Sequence, residues 1–206
     1  MHGFARILPW DLVEVTREPS GVLEARLELT ADAAARGGFQ QELGMSLTVG
    51  VGRSLHLTLA VHNAGPAPAR FEEALHSYFA VSDVTKVRVH GLEATPYIDK
   101  TEAMARKPGT AGPTLISAET DRVYLDTTGS VTVEDPGWNR RITIAKTGSA
   151  TTVLWNPWVA KARAMPDFGD DEWPRMLCVE TANVGEQALT LAPGASHVMS
   201  ATLAVE

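Results

Sequence analysis

The sequence predicts an all-β protein, a large antiparallel sandwich, on three observations. Apolar residues recur with period two along most of the chain, turn-forming residues interrupt these runs about every ten positions, and helix signals are few. Leu23, Ala25, Leu27 and Leu29 alternate with Glu24, Arg26 and Glu28. Leu55, Leu57, Leu59 and Val61 alternate with His56, Thr58 and His62, and Asn63, Gly65 and Pro66 then mark a turn. Further strands are expected at Met45 to Val51, Leu75 to Val81, Lys86 to Val89, Val123 to Asp126, Val131 to Val133, Arg141 to Ala145, Thr151 to Trp155, Met176 to Glu180, Ala188 to Leu191 and His197 to Val205.

One short helix is expected from Trp158 to Met165, with Asn156 as its cap, Pro157 at its first position and Pro166 stopping it. A second helical turn is expected over Ala31 to Ala35, closed by Gly37-Gly38. No repeat or linker breaks the 206 residues, so a single domain over 1–206 is expected, with 44% hydrophobic residues to fill one core. The balance of 18 basic against 25 acidic residues, with no basic stripe, argues against nucleic acid or an anionic membrane as partner. No apolar run approaches the roughly 20 residues of a membrane helix, and no signal peptide precedes Pro9. The single cysteine, Cys178, fits a reducing compartment, so a cytoplasmic location is expected.

Nucleophile-elbow, phosphate-loop, HExxH and CxxC motifs are absent. The histidines at 2, 56, 62, 76, 90 and 197 lack the close pairing that seats two ligands on one metal, which speaks against a metal-dependent barrel of the cupin kind; no metal or other cofactor is expected. A polar set inside apolar strands stands out: His76, Asp121 and Glu180. A carboxylate in such a strand faces solvent, finds a partner, or lines a wet cleft. A histidine there is either a hydrogen-bonded core residue or a functional one. Pattern alone leaves both questions open.

Six strings carry more. HGFAR at 2–6, ALHSYF at 74–79, GLEATPYIDK at 91–100, ETDRVY at 119–124, WNPWVAKARAMPDFGDD at 155–171 and CVETANV at 178–184 together resemble the D-hexose-6-phosphate mutarotases, the glucose-6-phosphate 1-epimerase branch of the aldose 1-epimerase family. The resemblance implies a sandwich of the galactose mutarotase type and interconversion of the α and β anomers of a hexose 6-phosphate. It makes Glu180 the general base and His76 the general acid. Asp121 and His2 then hold the sugar, and Arg6 holds the phosphate, for which a guanidinium fork is well shaped. Trp10, Trp155 and Trp158 are candidates for packing or for stacking on a sugar face. Lys161 and Arg163 read as solvated helix positions, Asp167, Asp170 and Asp171 as an acidic loop short of a calcium site, and Cys178 as a small buried hydrophobe. In the family HGFAR lies well inside the domain, whereas here it begins at residue 2, so the resemblance implies a sandwich truncated at its N-terminus. That leaves two further expectations: self-association through an exposed sheet edge, and, as the alternative function, a non-catalytic carbohydrate-binding relic of the same fold.

Overall fold

The computed structural model describes residues 3–36 and 41–206. In chain order the strands are β1 (Asp11–Arg17), β2 (Leu23–Leu29), β3 (Leu43–Val51), β4 (Leu55–Asn63), β5 (Ala69–Phe71), β6 (Glu73–Leu75), β7 (Tyr78–Ala80), β8 (Arg88–His90), β9 (Tyr97–Asp99), β10 (Ala105–Lys107), β11 (Thr120–Tyr124), β12 (Val131–Asp135), β13 (Arg140–Thr147), β14 (Thr151–Asn156), β15 (Met176–Asn183), β16 (Leu189–Leu191) and β17 (Ser196–Val205). Two short helices, α1 (Ala31–Arg36) and α2 (Trp158–Ala164), and a few 3₁₀ turns complete the chain. The all-β expectation holds. The expected turn of helix at Ala31 to Ala35 is α1, and its expected closure at Gly37-Gly38 lies outside the described residues. The chain divides into two compact units, Met1–Phe71 with Ala188–Leu203, and Glu72–Gln187 with Ala204–Glu206.

The first unit is an antiparallel meander in the order β1-β2-β3-β4-β17, beside the ribbon β5-β16. Gly21 makes the β1–β2 turn in the left-handed region at φ 89°, which suits glycine. Register aligns Leu12, Leu27, Leu47, Leu59 and Met199 in one cross-strand row. This row corrects the expectation of a uniformly buried apolar face on β2. Met199 is fully buried, but Leu12 at the other end is 61% exposed, and only Leu29 of β2 is buried. Strand β1 itself was not expected, because its apolar residues Leu12, Val13 and Val15 break period two. A register shift between Leu12 and Glu14 puts the odd residue in a bulge, which returns Leu12 and Val15 to the same face. A small core of Leu43, Val61, Ala69, Phe71 and Leu191 closes the end of the meander beneath the ribbon.

The second unit carries the ribbon β13-β12-β8 and a sheet in the order β10-β9-β11-β14-β15-β6, with β7 also paired to β15. The ribbon buries alternate residues, Val131, Val133, Ile142 and Ile144, as its period-two sequence requires. At the middle of the sheet β14 and β15 are buried at every residue, the behaviour of strands covered on both faces. Strands β9 and β10 were missed, since three residues are too few to show a period. The strand expected over Leu75 to Val81 is two strands, β6 and β7, with the ladder lapsing at His76 and Ser77. There the Ser77 N–H turns back to the Leu75 carbonyl at 2.9 Å. The helix expected from Trp158 is α2; the Asn156 side chain accepts from the Trp158 N–H at 2.9 Å, as a capping residue does, while Pro157 precedes the helix rather than opening it.

Candidate active site

Glu180 and Cys178 stand two residues apart on β15 and share a face of the sheet. Pairing of Thr181 with Leu75 and of Cys178 with Tyr78 sets His76 level with Glu180, across the lapse in the ladder. His76 Nε2 lies 3.2 Å from Glu180 Oε1. The carboxylate side chain is only 7% exposed and the imidazole 26%, so the pair is open on the histidine side. Burial, reinforced by the negative charge of Asp121 and partly offset by Lys100, pushes the Glu180 carboxyl up to about 7.

Aromatic rings surround the pair. Tyr78 stacks on His76 with centroids 4.9 Å apart and planes 15° from parallel, and Trp155 meets both rings edge-on at 6.2 and 6.1 Å. Trp155 is itself buried against Met176, Cys178, Met165 and Phe168, which favours the packing role expected for it. Trp10 is also a packed residue, its indole N–H donating to the Ala5 carbonyl at 2.8 Å.

Asp121 sits on β11 directly opposite Trp155, on the face that carries Glu180. Two lysines flank its carboxylate: Lys100 Nζ at 3.3 Å from Oδ1 and Lys161 Nζ at 4.0 Å from Oδ2. Lys161 also binds Glu119 at 3.1 Å, so it is a member of the site's charge network and not merely a solvated helix position. Lys100, Lys161 and Tyr78 were not expected as site residues although each lies in one of the six strings, because residue type alone gave them no role; only the fold brings them beside Asp121 and His76.

The WNPW string builds the support for Lys161. Asn156 is fully buried at the end of β14, and its amide donates to the carbonyls of Trp173 at 2.8 Å and Met176 at 2.9 Å while its oxygen caps α2. Trp158 then enters the helix at φ 57°, a conformation that costs a bulky residue on the order of 1–3 kcal/mol and is held here by the cap and by the Trp173 ring at 4.3 Å.

His76, Asp121 and Glu180 are thus brought together. His2 lies outside the described residues. Arg6 belongs to the other compact unit, exposed at the end of the 3₁₀ turn Phe4–Arg6. His56 and His62 bond hydroxyls, Thr202 and Ser54 for the first and Ser196 for the second. Among the described residues one group could hold a metal ion: His76, Cys178 and Glu180, whose ligand atoms all lie within 4.8 Å of one another. Burial and the neighbouring carboxylate push the Cys178 thiol upward, so it stays protonated.

The antiparallel sheets that carry this carboxylate and imidazole have the galactose mutarotase-like fold of known structures. The fold is shared at a TM-score of 0.71 with a galactose mutarotase-like protein from Clostridium acetobutylicum, 16% identical, over 100% of this chain and 69% of that one. Residues 1–203 match the family model described as aldose 1-epimerase, and the chain belongs to that family. It is 37% identical, over 74% of its length, to a Cenchrus ciliaris protein named "Putative glucose-6-phosphate 1-epimerase". The crystal structure of a "putative mutarotase (YeaD)" from Salmonella typhimurium superimposes with a TM-score of 0.89 at 28% identity, over 98% of this chain and 66% of that one. The chain spans 47% of the length of the Cenchrus relative and 59% to 61% of three bacterial relatives.

Proposed function

We propose that this chain carries the acid/base site of a mutarotase acting on a hexose 6-phosphate. The observation that carries the reading is the His76–Glu180 pair, 3.2 Å apart, with a carboxyl pushed up to about 7 on a sheet face that also carries Asp121. Anomer exchange needs one group to take the proton of the anomeric hydroxyl and another to protonate the ring oxygen. The ring then opens, C1 turns about the C1–C2 bond, and closure on the other face runs both transfers backwards, restoring both groups. A base works best when its pKa lies near the working pH, and a positioned proton transfer contributes about 10² to 10⁴ in rate.

In this reading Glu180 is the base and His76 the acid. Asp121, with the lysines beside it, accepts from sugar hydroxyls, and His2 assists. Arg6 receives the phosphate. The test is anomer exchange followed by NMR with glucose 6-phosphate and with glucose, on the chain and on Arg6→Ala. The phosphosugar is expected to be the better substrate. Arg6→Ala should raise KM for it by one to two decades, the roughly 1.5–3 kcal/mol of a charge-assisted contact, while KM for glucose stays put. Equal losses on both sugars would remove Arg6 from the phosphate site, and absence of exchange with either would remove the mutarotase reading.

A further inference from the structure

We propose that the His76–Cys178–Glu180 cluster is also a binding site for a thiophilic divalent cation, zinc in the first instance, held by Cys178 Sγ, an imidazole nitrogen of His76 and a carboxylate oxygen of Glu180, and that the bound ion silences the pair. Only the silencing rests on the mutarotase reading; the binding stands apart from it. The donor set is one that zinc favours over the abundant hard cations. Magnesium and calcium take shells of six or more oxygens, whereas zinc takes four ligands and accepts sulfur, nitrogen and oxygen together.

The geometry is close to complete. Zinc bonds of about 2.0–2.3 Å separate tetrahedral ligands by roughly 3.3–3.8 Å. The His76 and Glu180 atoms already stand 3.2 Å apart, and all three donors fall within 4.8 Å of one another. The adjustment needed is about an ångström at most. Cys178 is paired on both edges of β15 and Glu180 with Val153 of β14, while His76, at the lapse between β6 and β7, is the ligand able to shift. Its side chain is also the most exposed part of the group, which gives the ion a way in.

On binding, a sulfur–zinc bond forms and the thiol proton leaves to solvent, with no change of oxidation state. Thiolate and carboxylate together neutralise the ion inside the buried cluster. The fourth position remains for water or a sugar hydroxyl. With His76 and Glu180 both ligated, neither lone pair can take part in proton transfer. The ion is therefore an inhibitor and not a cofactor.

The experiment titrates the untagged, metal-free chain with Zn²⁺ by calorimetry and with Co²⁺ by absorbance, since thiolate-bound cobalt gives a charge-transfer band in the near ultraviolet. One equivalent is expected, with the band present. Cys178→Ala and Cys178→Ser should each lose the band and weaken Zn²⁺ binding at least tenfold. Two substitutions are needed because a hydroxyl in so buried a position can unsettle the fold, and circular dichroism identifies the folded variant. Anomer exchange in the unsubstituted chain should be inhibited by Zn²⁺ and restored by a chelator, while the folded variant keeps its basal rate and resists the ion. No band, or Zn²⁺ affinity unchanged without the thiol, overturns the site. A chain that binds zinc through Cys178 yet shows no exchange of its own keeps the site and defeats the mutarotase reading alone.

Discussion

Glu180 is expensive for the fold, and in the proposed reaction that expense has a use. Its carboxyl, ordinarily at 4.5, is pushed up to about 7 by burial first and by Asp121 second. The folded chain therefore holds a proton that the unfolded chain has released between pH 4.5 and 7. Stability contributed by this residue falls as pH rises through that window, and the deficit is complete above it. Glu180→Gln should accordingly unfold at higher denaturant at pH 8, by on the order of 2 kcal/mol, and show little gain at pH 4. The same substitution should abolish anomer exchange, because an amide cannot take the anomeric proton, and the exchange rate of the parent chain should fall below pH 7 with an apparent pKa near that value. Paired denaturation and rate profiles check both; a variant that is inactive but no more stable at pH 8 would show that the carboxylate is better solvated than its burial indicates. Glu180 and His76 were both legible as polar residues in apolar strands, and the family resemblance cast them as base and acid, but their contact was not legible. His76 precedes Glu180 by about a hundred positions, and only the ladder of β15 with β6 and β7 reveals that they face each other.

At the scale of elements, the connection from β13 to β14, which carries the chain from one sheet to the other, is built around a buried cation. Lys146 is 9% exposed, and its Nζ reaches the hydroxyls of Thr127, Ser149 and Thr152 at 2.9, 3.1 and 2.9 Å and the Thr151 carbonyl at 2.8 Å. No carboxylate among the described residues pairs with it. Burial pulls its amine down to about 8 from 10.5, so above pH 8 the folded chain gives up a proton that the unfolded chain retains. Unfolding free energy should rise between pH 8 and 10.5, and Lys146→Met should flatten that rise, which urea titrations across the range would show. A rise of the same size in Lys146→Met would assign it to another group. Strand β13 was readable from alternation over Arg141 to Ala145, whereas the oxygen cage around Lys146 was not, since Thr127, Ser149 and Thr152 are ordinary turn and strand residues until the chain folds. Helix α2 was readable for the opposite reason, its cap and its prolines being local signals.

At the scale of the molecule, the apolar row across the first unit bears on association in solution. From Met199 to Leu12 it passes from full burial to 61% exposure, and Val15, on the same face of β1, is 62% exposed. An edge strand with an uncovered apolar face recruits other chains. Self-association is therefore predicted, with Leu12→Glu and Val15→Glu together lowering the mass measured by sedimentation; a parent chain that is monomeric at high concentration would contradict this. The lapse between β6 and β7 has a consequence of another kind, for motion. Glu180 rides on an interior strand, paired with Val153 on one edge and flanked on the other by the Thr181–Leu75 and Cys178–Tyr78 pairs, so its amide should exchange with deuterium slowly. His76 sits where the neighbouring ladder is interrupted and needs only a small local opening to swing. The two halves of the pair thus keep different clocks: a carboxylate carried by an interior strand, and an imidazole carried at a break in the neighbouring ladder.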